Sequence, residues 1–341
     1  MQISFLIPGD LATPTGGYGY ARRLLRSFPK QGFDAAHVAL PGTFPTPDAS
    51  AQEQVADVLQ NLPAGQPLLL DGLAGGALAP ATLRTARGPV VMLCHHPLAL
   101  EAGLSEGHAR RLRDSEHLAL AHAAHVITTS HATGAILARD YGVARDKLTI
   151  APPGTDPAPQ AAANGRCRLL SVGSLTRRKR HDLLIAALAD LRDHEWTLRI
   201  AGPAPDPEVR AELVDQIERL NLSDRVSLIG TLSTAELAAA YQSSDMFVLA
   251  SEYEGFGMAY TEAMSHGLPT LGIRCAAVEE ATAGGAMLTD DATFSTALAS
   301  LLTTKTERDA LAQRCWTTAQ TFLRWDQTTA IVASVLKKVA P

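Results

Sequence analysis

Two carboxylates, Glu254 and Glu262, stand with seven residues between them in Ser-Glu-Tyr-Glu-Gly-Phe-Gly-Met-Ala-Tyr-Thr-Glu-Ala-Met-Ser-His-Gly-Leu-Pro, the stretch from Ser251 to Pro269. An apolar run, Met246 to Ala250, precedes them and reads as a buried strand. Gly255 and Gly257 permit the sharp exit that a strand-to-helix turn requires, so a helix is expected to open near Met258. Its free N–H groups and positive dipole end form an anion site beside Glu254. Were all eight steps from Glu254 to Glu262 helical, the carboxylates would lie about 12 Å apart. That spacing does not suit a shared proton. It suits two carboxylates that hold hydroxyls at opposite ends of one ligand, with an anion between them, which is the layout of a nucleoside-diphosphate sugar. The plain alternative is an amphipathic helix with two solvated glutamates.

Other segments offer matching chemistry. Gly173-Ser174-Leu175-Thr176-Arg177-Arg178-Lys179-Arg180-His181-Asp182 follows an apolar run and gathers four cations at one strand exit. Such a run is either a solvated basic turn or a diphosphate cradle, and Lys179 is the first choice for the phosphate contact. Gly16 and Gly17, ahead of a helical pattern through Ala21, Leu24 and Leu25, allow close backbone approach to a ligand. They lack the spacing of a dinucleotide fingerprint. His95 and His96 end another apolar run. Adjacent residues at a strand end point to opposite sides and no third ligand follows, so one histidine bonding a substrate hydroxyl is favoured over a metal site.

Short apolar runs position these groups. Ile3–Ile7, Ala35–Leu40, Pro67–Leu70, Val90–Leu93, Val126–Thr129 and Leu148–Ala151 alternate with helical patterns. A second series comprises Leu169–Val172, Leu198–Ala201, Val226–Ile229, Met246–Ala250, Pro269–Ile273 and Ala286–Leu288. Runs that are apolar on both faces indicate parallel strands covered by helices, hence α/β architecture with two doubly wound, Rossmann-like domains facing a central cleft. The expected division is 1–157, a linker at 158–165 within the Pro-, Gly- and Ala-rich stretch from Pro152, a second domain at 166–320, and a C-terminal helix at 321–341 that either caps the second domain or crosses back to the first.

Composition narrows the function classes. With 341 residues, 46% hydrophobic and 19% charged, the chain can fill two cores. A net charge of −5 argues against a nucleic-acid partner. The four cysteines form no Cys-x-x-Cys pair, which fits a reducing cytoplasm, and neither a signal peptide nor a membrane span is read. Arg22, Arg23, Arg26 and Lys30, or Arg110, Arg111 and Arg113, are compatible with peripheral contact to anionic lipid at the inner membrane face, although solvated helix faces are the favoured reading.

Taken together these motifs resemble the retaining glycosyltransferases of family 4, which have the GT-B fold. Glu254-Gly255-Phe256-Gly257 through Glu262-Ala263-Met264 and Gly267-x-Pro269 is similar to the family's E-x7-E segment. Gly173-x-Leu175 with Lys179 and Asp182 resembles its phosphate loop, and Gly16-Gly17 its N-terminal glycine pair. Ala151-Pro152-Pro153-Gly154-Thr155-Asp156 resembles its interdomain stretch, and Val126 to Ser130 its fifth strand. The resemblance implies α-glycosyl transfer from a UDP-, GDP- or ADP-sugar to an acceptor hydroxyl on a saccharide, lipid or small molecule, with no cofactor and no metal. It implies that Glu254 touches the donor sugar, Glu262 the ribose, Lys179 the departing diphosphate, and His95 or His96 the sugar and the attacking hydroxyl. The donor-binding set is then Gly16, Gly17, Gly173, Ser174, Arg178, Lys179, Gly255, Phe256, Gly257, Met258 and Glu262. Ser174 stands where the family usually has arginine and Arg180 where it usually has glycine, so Arg178 or Arg180 is expected to supply the missing charge. Cys275-Ala276 lacks the family's paired glycines. A nucleotide-sugar epimerase, a retaining phosphorylase and a catalytically degenerate sugar-nucleotide-binding protein are the alternatives.

Overall fold

The computed structural model describes residues 1–162 and 167–341. The chain forms two compact units, Met1–Gly154 with Leu323–Pro341, and Thr155–Phe322. Of the expected linker, 158–162 belongs to the second unit, and residues 163–165 lie outside the described residues.

The first unit is built on β1 (Gln2–Pro8), β2 (Asp34–Leu40), β3 (Leu68–Asp71), β4 (Val90–Cys94), β5 (His125–Thr128) and β6 (Leu148–Ile150), paired in parallel in the order β2-β1-β3-β4-β5-β6. β1, β3 and β4 run through the middle with almost every residue buried, which is why they read as unbroken apolar runs. The chain steps outward from β1 to β2, then returns to lay β3 on the other side of β1. This reversal leaves a crevice at the carboxyl ends of β1 and β3, where ligands of such sheets bind. The C-terminal helix Trp325–Val339 belongs to this unit. Trp325 meets the Tyr20 ring edge-on at 5.5 Å, and Thr328 donates to the Pro152 carbonyl at 2.7 Å.

The second unit repeats the plan with β7 (Cys167–Val172), β8 (Trp196–Ala201), β9 (Val226–Gly230), β10 (Met246–Leu249), β11 (Thr270–Ile273) and β12 (Met287–Thr289), again parallel, in the order β12-β11-β10-β7-β8-β9. Alternation along the strands divides the core. Met246 and Val248 join Leu169, Leu198 and Leu271 on one face, while Phe247 and Leu249 join Leu170 and Tyr260 on the other. Here the order reverses between β7 and β10, so the loops leaving those strands flank the crevice.

Candidate active site

The loops after β7 and β10 carry the two motifs singled out from the sequence, and the fold brings them into contact. Lys179 Nζ donates to Glu254 Oε1 at 2.5 Å, Arg178 Nη1 donates to Glu254 Oε2 at 3.4 Å and to the Tyr253 carbonyl at 2.6 Å, and the Glu252 N–H donates to the Arg178 carbonyl at 3.0 Å. Glu254 is 8% exposed. Burial pushes its carboxyl upward, but the charges of Lys179 and Arg178 outweigh that and hold it below the ordinary value, so it is a buried carboxylate anion.

Local sequence explains the geometry. Gly173 lies directly under the Lys179 stem, since a Cβ there would come within 3.1 Å of Lys179 Cε, and a Cβ on Gly202 at the end of β8 would fall 2.1 Å from the Gly173 carbonyl oxygen. Two glycines thus let the β8 exit, the β7 exit and the lysine stem stack without a spacer. Ser174 follows Gly173 in the same loop, whose backbone is held by Leu175 N–H to Pro203 and Lys179 N–H to Thr176. Beyond Lys179, Arg180 turns left-handed with φ 49° and caps the helix His181–Ala189. That conformation costs a non-glycine residue about 1 kcal/mol.

The four clustered cations separate on folding. Arg177 makes a two-point bond to Glu212 at 2.7 and 2.8 Å, Arg180 places Nη1 2.7 Å from both oxygens of Asp291, and Arg178 and Lys179 turn to Glu254. His181 is buried behind them, and desolvation followed by the neighbouring Lys179 charge pushes its imidazole down to about 4.

On the β10 side, Gly255 and Phe256 lead to Gly257, whose φ of 107° only glycine adopts without strain, and the helix Met258–Ser265 opens immediately after it. Tyr260 of that helix donates to the Leu249 carbonyl at 2.7 Å, tying the helix to its strand. Glu262, two residues further on, accepts from the Tyr241 hydroxyl at 3.0 Å, and Tyr241 stacks on His266 at 5.2 Å. Tyr241 left no functional signal in the sequence, because a tyrosine in an alanine-rich helix reads as core.

In the first unit, Gly16 and Gly17 open the helix Gly16–Ser27, and a Cβ on Gly17 would sit 3.3 Å from His95 Cδ2. The adjacent histidines diverge. His95 Nε2 lies 3.6 Å from Asp71 Oδ2, whereas His96 Nε2 lies 3.2 Å from Glu101 Oε2. Among the described residues, no three His, Cys, Asp or Glu side chains gather as a metal site, and no helix is long and apolar enough to cross a membrane.

Comparison with known proteins is decisive for the family. Residues 155–315 match the family model described as Glycosyl transferases group 1, and residues 69–159 match Glycosyltransferase Family 4. The chain belongs to glycosyltransferase family 4. It is 29% identical over 232 residues to the D-inositol 3-phosphate glycosyltransferase of Kineococcus radiotolerans, a match covering 58% of this chain and 53% of that one. The chain spans about half or less of the curated relatives it matches, 37%, 53% and 49% for three of them. The GT-B fold extends over the full length: the sucrose-phosphate synthase of Thermosynechococcus elongatus superposes with a TM-score of 0.80 at 20% identity, covering 99% of this chain and 98% of that one. Anabaena HepE in complex with UDP-glucose superposes with a TM-score of 0.79 at 16% identity, covering 99% and 100%. This GT-B likeness agrees with the two parallel six-stranded sheets and their flanking helices.

Proposed function

We propose that this family 4 protein transfers a sugar from a nucleoside-diphosphate sugar to an acceptor hydroxyl, with retention of configuration and without a bound metal. One observation carries the reading: Lys179 and Arg178 converge on the buried Glu254 at the strand-order reversal, beside the helix start at Met258. A departing diphosphate needs fixed positive charge in a desolvated place, and two cations with the N–H groups of that helix supply it. Glu254 holds both cations in register and, when donor is bound, exchanges them for sugar hydroxyls. Glu262, backed by Tyr241, takes the ribose. Gly173 and Ser174 present backbone to phosphate, and His95 with the Gly16-Gly17 helix start addresses substrate hydroxyls and charge in the first unit. The UDP-glucose complex of HepE supports a nucleotide-sugar donor for this fold. The acceptor class is a saccharide, lipid or small molecule, and the protein is read as cytoplasmic with peripheral membrane contact open to test.

The test is a panel of UDP-, GDP- and ADP-sugars with and without magnesium, scored for thermal protection and for sugar transfer to hydroxyl acceptors. Protection by one nucleoside diphosphate and turnover of its sugar in chelator is the expected result. No binding of any donor overturns the reading, and binding without turnover identifies a degenerate sugar-nucleotide-binding protein.

A further inference from the structure

Asp71 ends β3 at the strand-order reversal of the first sheet and is 6% exposed. Its two oxygens have different tasks. Oδ1 accepts from the Leu73 N–H at 2.9 Å, capping the short helix Gly72–Gly75, while Oδ2 faces His95 Nε2 at 3.6 Å. His95 is confined on its other sides. Its Cδ2 and Nε2 atoms lie over Gly17, the Tyr20 ring meets it edge-on at 5.3 Å, and its carbonyl accepts from Thr129 Oγ1 at 3.2 Å. Nε2 is buried and makes no hydrogen bond among the described residues, with the Asp71 carboxylate facing it across 3.6 Å, yet the side chain as a whole retains 22% exposure. The open edge is therefore the opposite one, Nδ1 and Cε1.

We infer that Asp71 is a positioning residue for His95: its Oδ2 keeps the imidazole proton on Nε2 and so turns Nδ1, as a hydrogen-bond acceptor, toward a substrate hydroxyl. A histidine whose one nitrogen is held by a carboxylate has its tautomer and ring orientation set by that partner. The separation of 3.6 Å is of the kind that shortens when substrate fills a site. The substrate hydroxyl in this statement rests on the transfer reading above, whereas the Asp71–His95 pairing stands without it.

Two variants and two readouts test the pairing. In Asp71→Asn the amide oxygen must keep the Leu73 cap, which presents the NH2 group to Nε2. Two donors cannot face each other, so the ring proton moves to Nδ1. Asp71→Ser keeps a good helix cap but is too short to reach His95, and so separates capping from pairing. Imidazole nitrogen spectra of the full chain, at a pH where the ring is neutral, should show Nε2–H in wild type and Nδ1–H in Asp71→Asn. In transfer assays both variants should lose at least tenfold in kcat with donor KM changed less than threefold. Nδ1–H in wild type, Nε2–H retained in Asp71→Asn, or kcat kept within twofold in Asp71→Ser would overturn the inference. Should wild type transfer no sugar at all, the spectra alone decide the pairing and only the transfer reading falls.

Discussion

Arg180 holds Asp291 through two 2.7 Å contacts, and in doing so directs the last cation of the Arg177–Arg180 run away from Glu254. Charge close to the crevice is therefore left to Arg178 and Lys179, at 16% and 12% side-chain exposure.

Alanine substitutions should follow that division. Lys179→Ala and Arg178→Ala are each expected to slow transfer more than tenfold, a loss of about 1.4 kcal/mol or more in transition-state stabilisation. Arg180→Ala should cost less than threefold. Steady-state kinetics with saturating acceptor measure all three, and an Arg180→Ala loss as large as that of Lys179→Ala would contradict the assignment.

The two glutamates should separate by kinetic parameter. Glu254→Gln leaves two part-buried cations facing a neutral amide and removes the sugar contact, so kcat is expected to collapse and the fold to lose on the order of 1–3 kcal/mol. Glu262→Gln retains an acceptor for Tyr241 and should mainly weaken nucleotide binding, by about 1–3 kcal/mol. Calorimetric titration of the nucleoside diphosphate and single-turnover rates distinguish them. Equal losses of affinity with unchanged chemistry would refute the split.

Binding itself should be visible as stability. A nucleoside diphosphate at one hundred times its Kd should stabilise the protein by about 2.7 kcal/mol, in chelator as well as in magnesium. Differential scanning fluorimetry reads the shift, which should vanish in a Lys179→Ala, Glu262→Gln double variant.

Two buried groups should pull the pH dependence of stability in opposite directions. Glu116, buried in the helix Glu106–His122, is raised from 4.5 to about 7 by desolvation, against the Leu98 N–H at 2.9 Å, the Cys94 thiol and the Tyr141 hydroxyl, which lower it. Its folded form keeps a proton that the unfolded chain has lost, so it draws down stability as pH rises from 4.5 to 7. His181, depressed from 6.5 to about 4, works in reverse: the unfolded chain takes up a proton that the folded one refuses, and stability falls as pH drops from 6.5 to 4. Each amounts to about 3 kcal/mol, and the two slopes cancel across their shared range. Chemical denaturation from pH 4 to 7 should show Glu116→Gln gaining stability with pH and His181→Gln losing it. Parallel profiles in both variants would show that these groups are not the ones titrating.

Much of this was legible in the sequence because it rests on periodicity and punctuation. All twelve apolar runs became strands, and the central ones read most plainly because a parallel strand covered on both faces must be apolar throughout. The helix opened at Met258 because Gly257 alone tolerates the turn before it. The side-chain pairings were not legible. Where each of four consecutive cations points is decided by Glu212, Glu254 and Asp291, which come from distant elements. Asp71 carried no signal, because an aspartate between a strand and a glycine is ordinary turn chemistry, and only the sheet order brings it to His95.

The stack of Gly202, Gly173 and the Lys179 stem has an implication for altering this protein. A Cβ on Gly202 would collide with the Gly173 carbonyl and one on Gly173 would press the lysine stem at 3.1 Å, so the ammonium reaches Glu254 across the thickness of two bare peptide units. Libraries aimed at a new donor should therefore leave positions 173 and 202 untouched. Diversity belongs at Ser174 and at Cys275 and Ala276, where the side chain can change while the spacing of the chain layers stays the same.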